Sequence, residues 1–294
     1  MIYFCADDYG IGESCNERIE ACLKDGILNK VSILPNGTIE GFREKLAEHG
    51  AVYSLHLNLV EGYPLSAKEE IPHLLSEDGS FRDSFIRLFL RTISSEGREI
   101  REEIYREIRK QLAFWKKEMG EDVPLSIDSH QHTHMIPAVF RALVRALKDE
   151  GIENYTLRIP AEPLLPYLFS PSLYLTYSVS GLAKQHLLRF FAFINQREMK
   201  KVRLSHSYFM GATFSGHLTE DKIRILLPHY EKLAVRKGRN IEVALHPGYL
   251  EEGESLMGGC RQSFRDFYTS PWRKKEFDTL MNFKYDTQKI GKKE

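Results

Sequence analysis

Short apolar runs alternate with amphipathic runs along the whole chain, and this alternation limits the possible folds more than any other feature. Apolar, β-branched runs of about four to eight residues are typical of buried strands, whereas a repeat of about 3.6 residues indicates a helix. Strand and helix follow each other some seven times, which favours parallel βαβ units in a barrel or a doubly wound sheet. The predicted strands cover residues 1–6, 30–34, 52–59, 125–130, 155–159, 202–209 and 241–246.

The amphipathic runs predict helices between these strands, and no linker rich in glycine or serine divides the chain. Its 294 residues lie within the size that α/β barrels reach as one unit. We therefore expect one domain over residues 1–294, with an apolar insertion near residues 160–202. The predicted helices cover residues 16–24, 39–48, 82–92, 99–117, 137–149, 184–200, 219–237 and 273–282.

The composition is that of an ordinary globular protein. There are 41 basic residues (Lys and Arg) and 41 acidic residues (Asp and Glu), and 42% of all residues are hydrophobic. This excludes a disordered chain and argues against a nucleic-acid-binding protein, which would carry a basic surface. The four cysteines form no CxxC pair, which suits a reducing compartment. The start MIYFCADDYG lacks the basic region of a signal peptide, so we expect a cytoplasmic protein.

The segment from Pro163 to Ala183 carries no charged side chain, which raises the question of a membrane span. A span needs about 20 mostly apolar residues in one helix. Proline breaks helices, and Pro163, Pro166 and Pro171 lie in this segment. We therefore expect no transmembrane span but an apolar loop, a lid or a subunit contact, the last of which would make the protein a homodimer.

Four polar clusters stand at the ends of predicted strands. They are DDYG at 7–10, HLN at 56–58, DSHQHTH at 128–134 and HPGY at 246–249. In barrels, functional groups come from the C-terminal ends of several strands, which meet on one rim. We therefore predict a functional site on this rim.

The run that begins at Asp128 is the strongest indication of a metal site. Because side chains alternate along a strand, Asp128, His130, His132 and His134 share one face if the run is extended. Imidazole nitrogens and carboxylates bind zinc, although histidines before a helix can also simply form hydrogen bonds. Pro137 turns the chain into a helix, which can direct His134 away from the site. We expect one or two of these histidines to bind a metal, with Asp128 orienting a neighbouring ligand.

The adjacent Asp7 and Asp8 are the second indication. Neighbouring strand residues face opposite ways, so both enter one site only where the strand ends and twists, and Gly10 allows such an ending. One carboxylate can then hold a metal while the other takes a proton from water. The alternative is a solvated acidic turn or a helix cap.

Two further histidines stand at strand ends. His56 lies in VYSLHLNLV, with Asn58 two residues on and on the same face; a histidine among apolar residues is more often a hydrogen-bonded core residue. His246 ends the strand IEVAL and is followed by Pro-Gly, which exposes the ring at the rim. If it binds no metal, it can act as a general acid.

Together the motifs resemble those of a known family. CADDYGIGESCNERI, SLHLNL, IDSHQHTHMIPAVF, LRIP and VALHPGY resemble, in this order, motifs of the YdjC-like carbohydrate deacetylases, and SHSYFMGATFSGHLT is similar to their F-x-G-x-x-x-S-G stretch. The resemblance runs from residue 2 to about residue 250. It implies an α/β fold, an irregular (β/α) barrel of about seven parallel strands that is similar to a TIM barrel. It also implies one divalent metal ion and removal of N-acetyl groups from small sugars such as chitooligosaccharides.

The resemblance also implies roles for single residues. Asp8, His56 and His130 would hold the metal, which is Mg²⁺ or Zn²⁺; two histidines with a carboxylate suit zinc or another transition metal, and magnesium prefers oxygen ligands. Asp7 would be the base and His246 the acid. The remaining expected roles are substrate contacts for Asn58, Arg158 and Tyr249, with Arg158 also supporting the base, and supporting positions for Asp128 and His132.

Two alternatives stay open on these residues. One is metal-dependent hydrolysis of a phosphoester or of another amide, and the other is a sugar-binding barrel without catalysis. The stretch 160–203 departs from compact members of the family, and the upper loops of a barrel choose its substrate. The sequence therefore leaves the sugar open.

Overall fold

The computed structural model describes residues 1–47, 49–120 and 123–286. Within them, seven parallel strands form one curled sheet in the order β5-β4-β3-β2-β1-β7-β6. This confirms the predicted α/β fold and its similarity to a TIM barrel. The strands are β1 (Ile2–Tyr9), β2 (Lys30–Ile33), β3 (Val52–Leu57), β4 (Leu125–Ser129), β5 (Tyr155–Leu157), β6 (Ser207–Met210) and β7 (Asn240–Leu245).

The sheet curls far enough for its two edges to touch. Leu157 at the end of β5 forms a parallel bridge with Leu204, which lies just before β6. The backbone N–H of Leu157 donates to the Arg203 carbonyl at 2.8 Å, and the N–H of Ser205 donates to the Leu157 carbonyl at 2.7 Å. The predicted strand over residues 202–209 is thus a bridge followed by the shorter strand β6.

Helices connect the strands and cover the outside of the sheet. The predicted helix over residues 184–200 begins earlier, at Val179, and breaks at Asn195, while Glu48, the end of another predicted helix, lies outside the described residues. One domain over residues 1–294 stays a prediction. The helices are α1 (Glu13–Asp25), α2 (Phe42–Ala47), α3 (Phe85–Thr92), α4 (Gly97–Met119), α5 (Pro137–Asp149), α6 (Leu164–Leu168), α7 (Val179–Ile194), α8 (Gln196–Met199), α9 (Glu220–Lys237), α10 (Gln262–Tyr268) and α11 (Pro271–Asn282).

The uncharged segment is folded into short helices between β5 and β6. It forms α6, a 3₁₀ turn over Pro171–Thr176 and the start of α7, where the Ser178 hydroxyl caps the helix by accepting from the Gly181 N–H. Among the helices of the described residues, none is long and apolar enough to cross a membrane.

A buried polar stripe on α4 holds the loop that follows β3. The Glu107 carboxylate accepts hydrogen bonds from the backbone N–H groups of Leu65 and Ser66, and Gln111 bonds both backbone groups of Asn58. The stripe therefore satisfies backbone groups that would otherwise be buried without partners, and it fixes the loop beside the C-terminal end of the sheet.

Candidate active site

The end of β1 turns both acidic residues toward the barrel rim. Asp7 and Asp8 still belong to β1, which runs three residues past its predicted end, and the register with β2 shifts after Ala6. Asp8 has φ 71°, a left-handed conformation that costs a non-glycine residue about 1–3 kcal/mol. This twist places the two adjacent carboxylates in one site.

Gly10 makes that turn possible. Its φ is 106°, and a Cβ there would lie 2.7 Å from Ile39 Cγ2. Its N–H donates to Asn16 Oδ1 at 2.6 Å, so the backbone after the acidic pair is held in place from α1.

Asp8, His56 and His130 come together from three strand ends. Asp8 Oδ1 lies 3.0 Å from His56 Nε2 and 2.6 Å from His130 Nδ1, and all three side chains are buried. The buried His130 Nε2 has no hydrogen-bond partner among the residues that the structure describes. A carboxylate and two imidazoles, one of which has an unpaired ring nitrogen, could hold a metal ion, so the residues fit the divalent ion that the sequence led us to expect.

Asp128 orients the His56 ring from behind. Its Oδ1 lies 2.6 Å from His56 Nδ1, and its Oδ2 accepts a 2.7 Å hydrogen bond from Ser32. Burial alone would lower the pKa of His56, but the bonds to Asp128 and Asp8 raise that pKa to about 10. Metal-binding histidines use this arrangement, in which a carboxylate on one ring nitrogen directs the other toward the metal.

Asp7, His56 and Asp128 also lie close enough to share an ion. However, the positively charged side chain of Arg158 already contacts both carboxylates. The Arg158 guanidinium contacts Asp7 at 2.9 Å and Asp128 at 2.9 Å. Like charges repel at such distances, so the cluster of Asp8, His56 and His130 is the better metal site.

Arg158 also fixes Asp7. Its Nη1 donates to both oxygens of that carboxylate, at 3.0 and 2.9 Å. Burial would raise the pKa of Asp7, but the Arg158 guanidinium, with smaller contributions from His56 and His246, holds that pKa well below its usual value. Asp7 is therefore an ionised, oriented carboxylate.

The buried charges around Arg158 do not balance when the histidines are neutral. Glu242 accepts from Arg158 at 2.7 Å and pairs with Lys30 at 2.8 Å. The connected group therefore has two more negative than positive side chains, which a divalent cation would neutralise. Its members are Asp7, Asp8, Asp128, Glu242, Arg158 and Lys30.

His246 stands at the edge of the same site, as expected from its strand end. Its Nε2 lies 4.0 Å from Asp8 Oδ2, and its Nδ1 lies 3.7 Å from Glu276. Glu276 also accepts the His246 backbone N–H at 2.7 Å, so α11 supports this histidine from below. The side chain is partly exposed toward the cavity, where a proton donor can meet a substrate.

The histidine run does not share one face, because it leaves the strand at His130. A 3₁₀ turn follows, and Gln131 and His132 take left-handed φ values of 52° and 59°. His134 is turned away from the site and lies 2.5 Å from the Ser129 hydroxyl and 2.8 Å from the Arg158 carbonyl. His132 lines the cavity, and burial lowers its pKa well below the usual value.

None of the three predicted substrate contacts lines the cavity: Arg158 is buried against Asp7, and the other two lie elsewhere. The Asn58 side chain accepts the N–H groups of Val60 and Glu61 and so shapes the turn after β3. The Tyr249 ring packs against Phe277 and carries the Arg18 guanidinium 4.0 Å above it. Neither residue lines the cavity that contains the acidic pair.

Sequence analysis missed Tyr268, Glu276 and Lys184. The Tyr268 hydroxyl donates to Asp8 Oδ2 at 2.5 Å. This is the carboxylate oxygen that does not contact His56 and His130. Tyr268 belongs to α10, a helix that the pattern did not predict. Lys184 lies on α7 and lines the cavity. Its position directly after the long uncharged segment was the one sign of it in the sequence.

The site forms one end of a cavity of about 660 Å³, which is the usual size of a small-molecule pocket. Asp7, Asp8 and His246 give it a polar end. Its other walls are mainly apolar and come from α3, α7 and α10, including Phe85, Leu187, Leu188, Phe264 and Phe267.

Known proteins resemble this chain over nearly its whole length. The family model for YdjC-like protein matches residues 1–287. Carbohydrate deacetylases of Danio rerio and Mus musculus are 28% and 26% identical, over 93% and 92% of this chain and 89% and 84% of their own. A crystal structure from Enterococcus faecalis V583, described provisionally as a cellobiose-phosphate cleavage protein, has a TM-score of 0.58 and covers 98% of both chains. At 18% identity it shows the fold alone. The chain belongs to the YdjC-like protein family.

Proposed function

We propose that the protein is a metal-dependent deacetylase that hydrolyses the N-acetyl group of a small acetylated sugar, such as a chitooligosaccharide. One observation carries the proposal: Asp8, His56 and His130 converge beside an oriented Asp7 at the polar end of the cavity. The names of the matched relatives, carbohydrate deacetylases, support the same reaction and substrate class.

Asp8, His56 and His130 would hold the ion, which zinc or another transition metal fits better than magnesium. When bound, a divalent ion lowers the pKa of water and polarises the acetyl carbonyl. Tyr268 and Asp128 hold two of the three ligands in place through their hydrogen bonds to Asp8 and His56.

Asp7 accepts the proton of the water that attacks the acetyl carbon. Arg158 keeps this carboxylate ionised and holds its orientation. Arg158 therefore acts through Asp7 and does not need to contact the sugar. The water oxygen bonds to the carbonyl carbon, and the C–N bond then breaks.

His246 protonates the nitrogen that leaves. Its ring is partly exposed in the cavity, and Glu276 holds it from the opposite side. The products are acetate and a free amino sugar, so each reaction consumes one water.

Acetate release from a panel of substrates tests the proposal. The panel contains N-acetylglucosamine, diacetylchitobiose, an O-acetylated sugar and a phosphate ester, each assayed with chelator and with added zinc. We expect acetate from an N-acetyl sugar only with metal, its loss in Asp7→Asn, and its retention in Glu107→Gln, a buried carboxylate outside the site. Phosphate release without acetate release, or no turnover of any substrate, would refute it.

A further inference from the structure

Exposed apolar side chains are concentrated in two segments of the chain. Of 18 exposed large hydrophobic residues in the described chain, 12 lie within residues 84–95 and 163–197. We call these two segments the apolar rim. Leu175 is fully exposed, and Val179 is 87% exposed. Most soluble monomers do not leave so many large apolar side chains together, so this surface is expected to bind something.

The two segments of the apolar rim are in direct contact. The Phe191 ring of α7 lies 5.0 Å from the ring of Phe89 and 6.1 Å from that of Phe85, both on α3. Residues of both segments, Ile86 and Ala183, are exposed and also line the cavity. The apolar rim therefore borders the cavity of the proposed active site.

The charge of the apolar rim has one sign. Residues 84–95 and 163–197 contain no Asp or Glu, although the whole chain has 41 acidic residues. Arg87 and Arg91 pair with the buried Asp83, and Arg91 also lies 3.5 Å from Glu96, just outside the rim. Lys184, Arg189 and Arg197 form no ion pair with any residue that the structure describes, so the rim carries a net positive charge.

We propose that the apolar rim docks the protein on an anionic lipid bilayer, with the mouth of the cavity facing the membrane. Peripheral helices bind bilayers by burying apolar side chains at the headgroup boundary while nearby Lys and Arg attract anionic lipids. A second copy of the chain would bring two positive surfaces together, which the charge disfavours. Docking does not depend on the deacetylase reaction, and its test measures lipid binding alone.

Sedimentation with vesicles tests the docking. The full chain is mixed with vesicles of phosphatidylcholine alone or with about 30% phosphatidylglycerol, at low and high salt. We expect binding to the anionic vesicles that falls as salt is raised, because charges near the surface are screened. The double variant Leu175→Asp/Val179→Asp should weaken this binding at least about tenfold, since both side chains are exposed and charge at the headgroup boundary opposes insertion.

Val235→Asp is the matched control, because Val235 is also an exposed apolar residue but lies on α9. It should bind vesicles like the wild type, and all variants should show the wild-type thermal unfolding. Equal binding to both kinds of vesicle, no binding at all, or unchanged binding by the double variant would overturn the proposal. So would a wild-type dimer in sedimentation velocity that the double variant dissociates, since the rim would then be a contact between copies.

Discussion

Replacing Asp128 with asparagine should weaken metal binding while the chain still folds. The amide can still accept the His56 N–H, which now lies 2.6 Å from the Asp128 oxygen, but the charge behind the ring is lost. Removing such a support of a metal ligand typically costs 10–100-fold in affinity. We expect a loss in this range, which corresponds to about 1.4–2.8 kcal/mol.

The fold should tolerate the change because Arg158 keeps two other carboxylates. It still contacts Asp7 at 2.9 Å and Glu242 at 2.7 Å, so no cation is left without a partner. Breaking a buried ion pair completely costs about 3–5 kcal/mol, and we expect a smaller loss here.

Titration calorimetry with zinc on the metal-free protein measures the affinity, and urea unfolding of the same samples measures the stability. Glu107→Gln is the control, because it also neutralises a buried carboxylate. The hydrogen bonds that the structure describes for Glu107 come from Gln111 on α4 and from the loop after β3, away from the proposed metal ligands. A folded Asp128→Asn protein with the zinc affinity of the wild type would refute the reasoning, because His56 would then need no support.

Three further changes test other parts of the site. Asp7→Asn should keep the metal and lose turnover, whereas Asp8→Asn should lose the metal, as metal content and acetate release will show. Gly10→Ala should destabilise the fold by about 1–3 kcal/mol in urea unfolding, because its φ is 106° and the new Cβ would meet Ile39. Glu276→Gln should lower stability at neutral pH. Burial raises the pKa of Glu276, but Arg273, His246 and the Leu218 N–H together outweigh burial and lower that pKa, so the wild type holds this stability above about pH 4.5 and loses it below. The variant's urea midpoint should therefore fall less on acidification than that of the wild type.

The sequence was sufficient to predict the strands and the convergence of their ends. Asp7, Asp8, His56, His130 and His246 lie at the C-terminal ends of four different strands, and parallel strands bring these ends to one rim whatever the exact boundaries are. Errors of a few residues, such as the longer β1, therefore did not move these side chains out of the site.

The parts that were not predicted depend on local backbone and on distant contacts. Periodicity assumes extended backbone, but Gln131 and His132 are left-handed, so the histidine run could not be placed by alternation. Tyr268 reaches Asp8 across 260 residues from a short helix, and no local pattern encodes such a contact. Asn58 lies inside the predicted strand over residues 52–59, but β3 ends at Leu57, and the Asn58 side chain accepts a hydrogen bond from the turn that follows.

The charged interior of this barrel is explained by the site and not by stability. Apolar residues in place of a buried ion network are often neutral or stabilising, because charges lose hydration on burial. Here the Arg158 network spans β1, β4, β7 and the end of β5, and it ends on Asp7 and on the carboxylate that orients His56. In the metal-free chain the raised pKa of His56, about 10, lets a bound proton balance one of the two excess negative charges. A bound divalent cation would replace this proton and balance both charges. Metal should therefore stabilise the folded chain by an amount that rises with the logarithm of the free metal concentration above the Kd, as ligands that bind only the native state do.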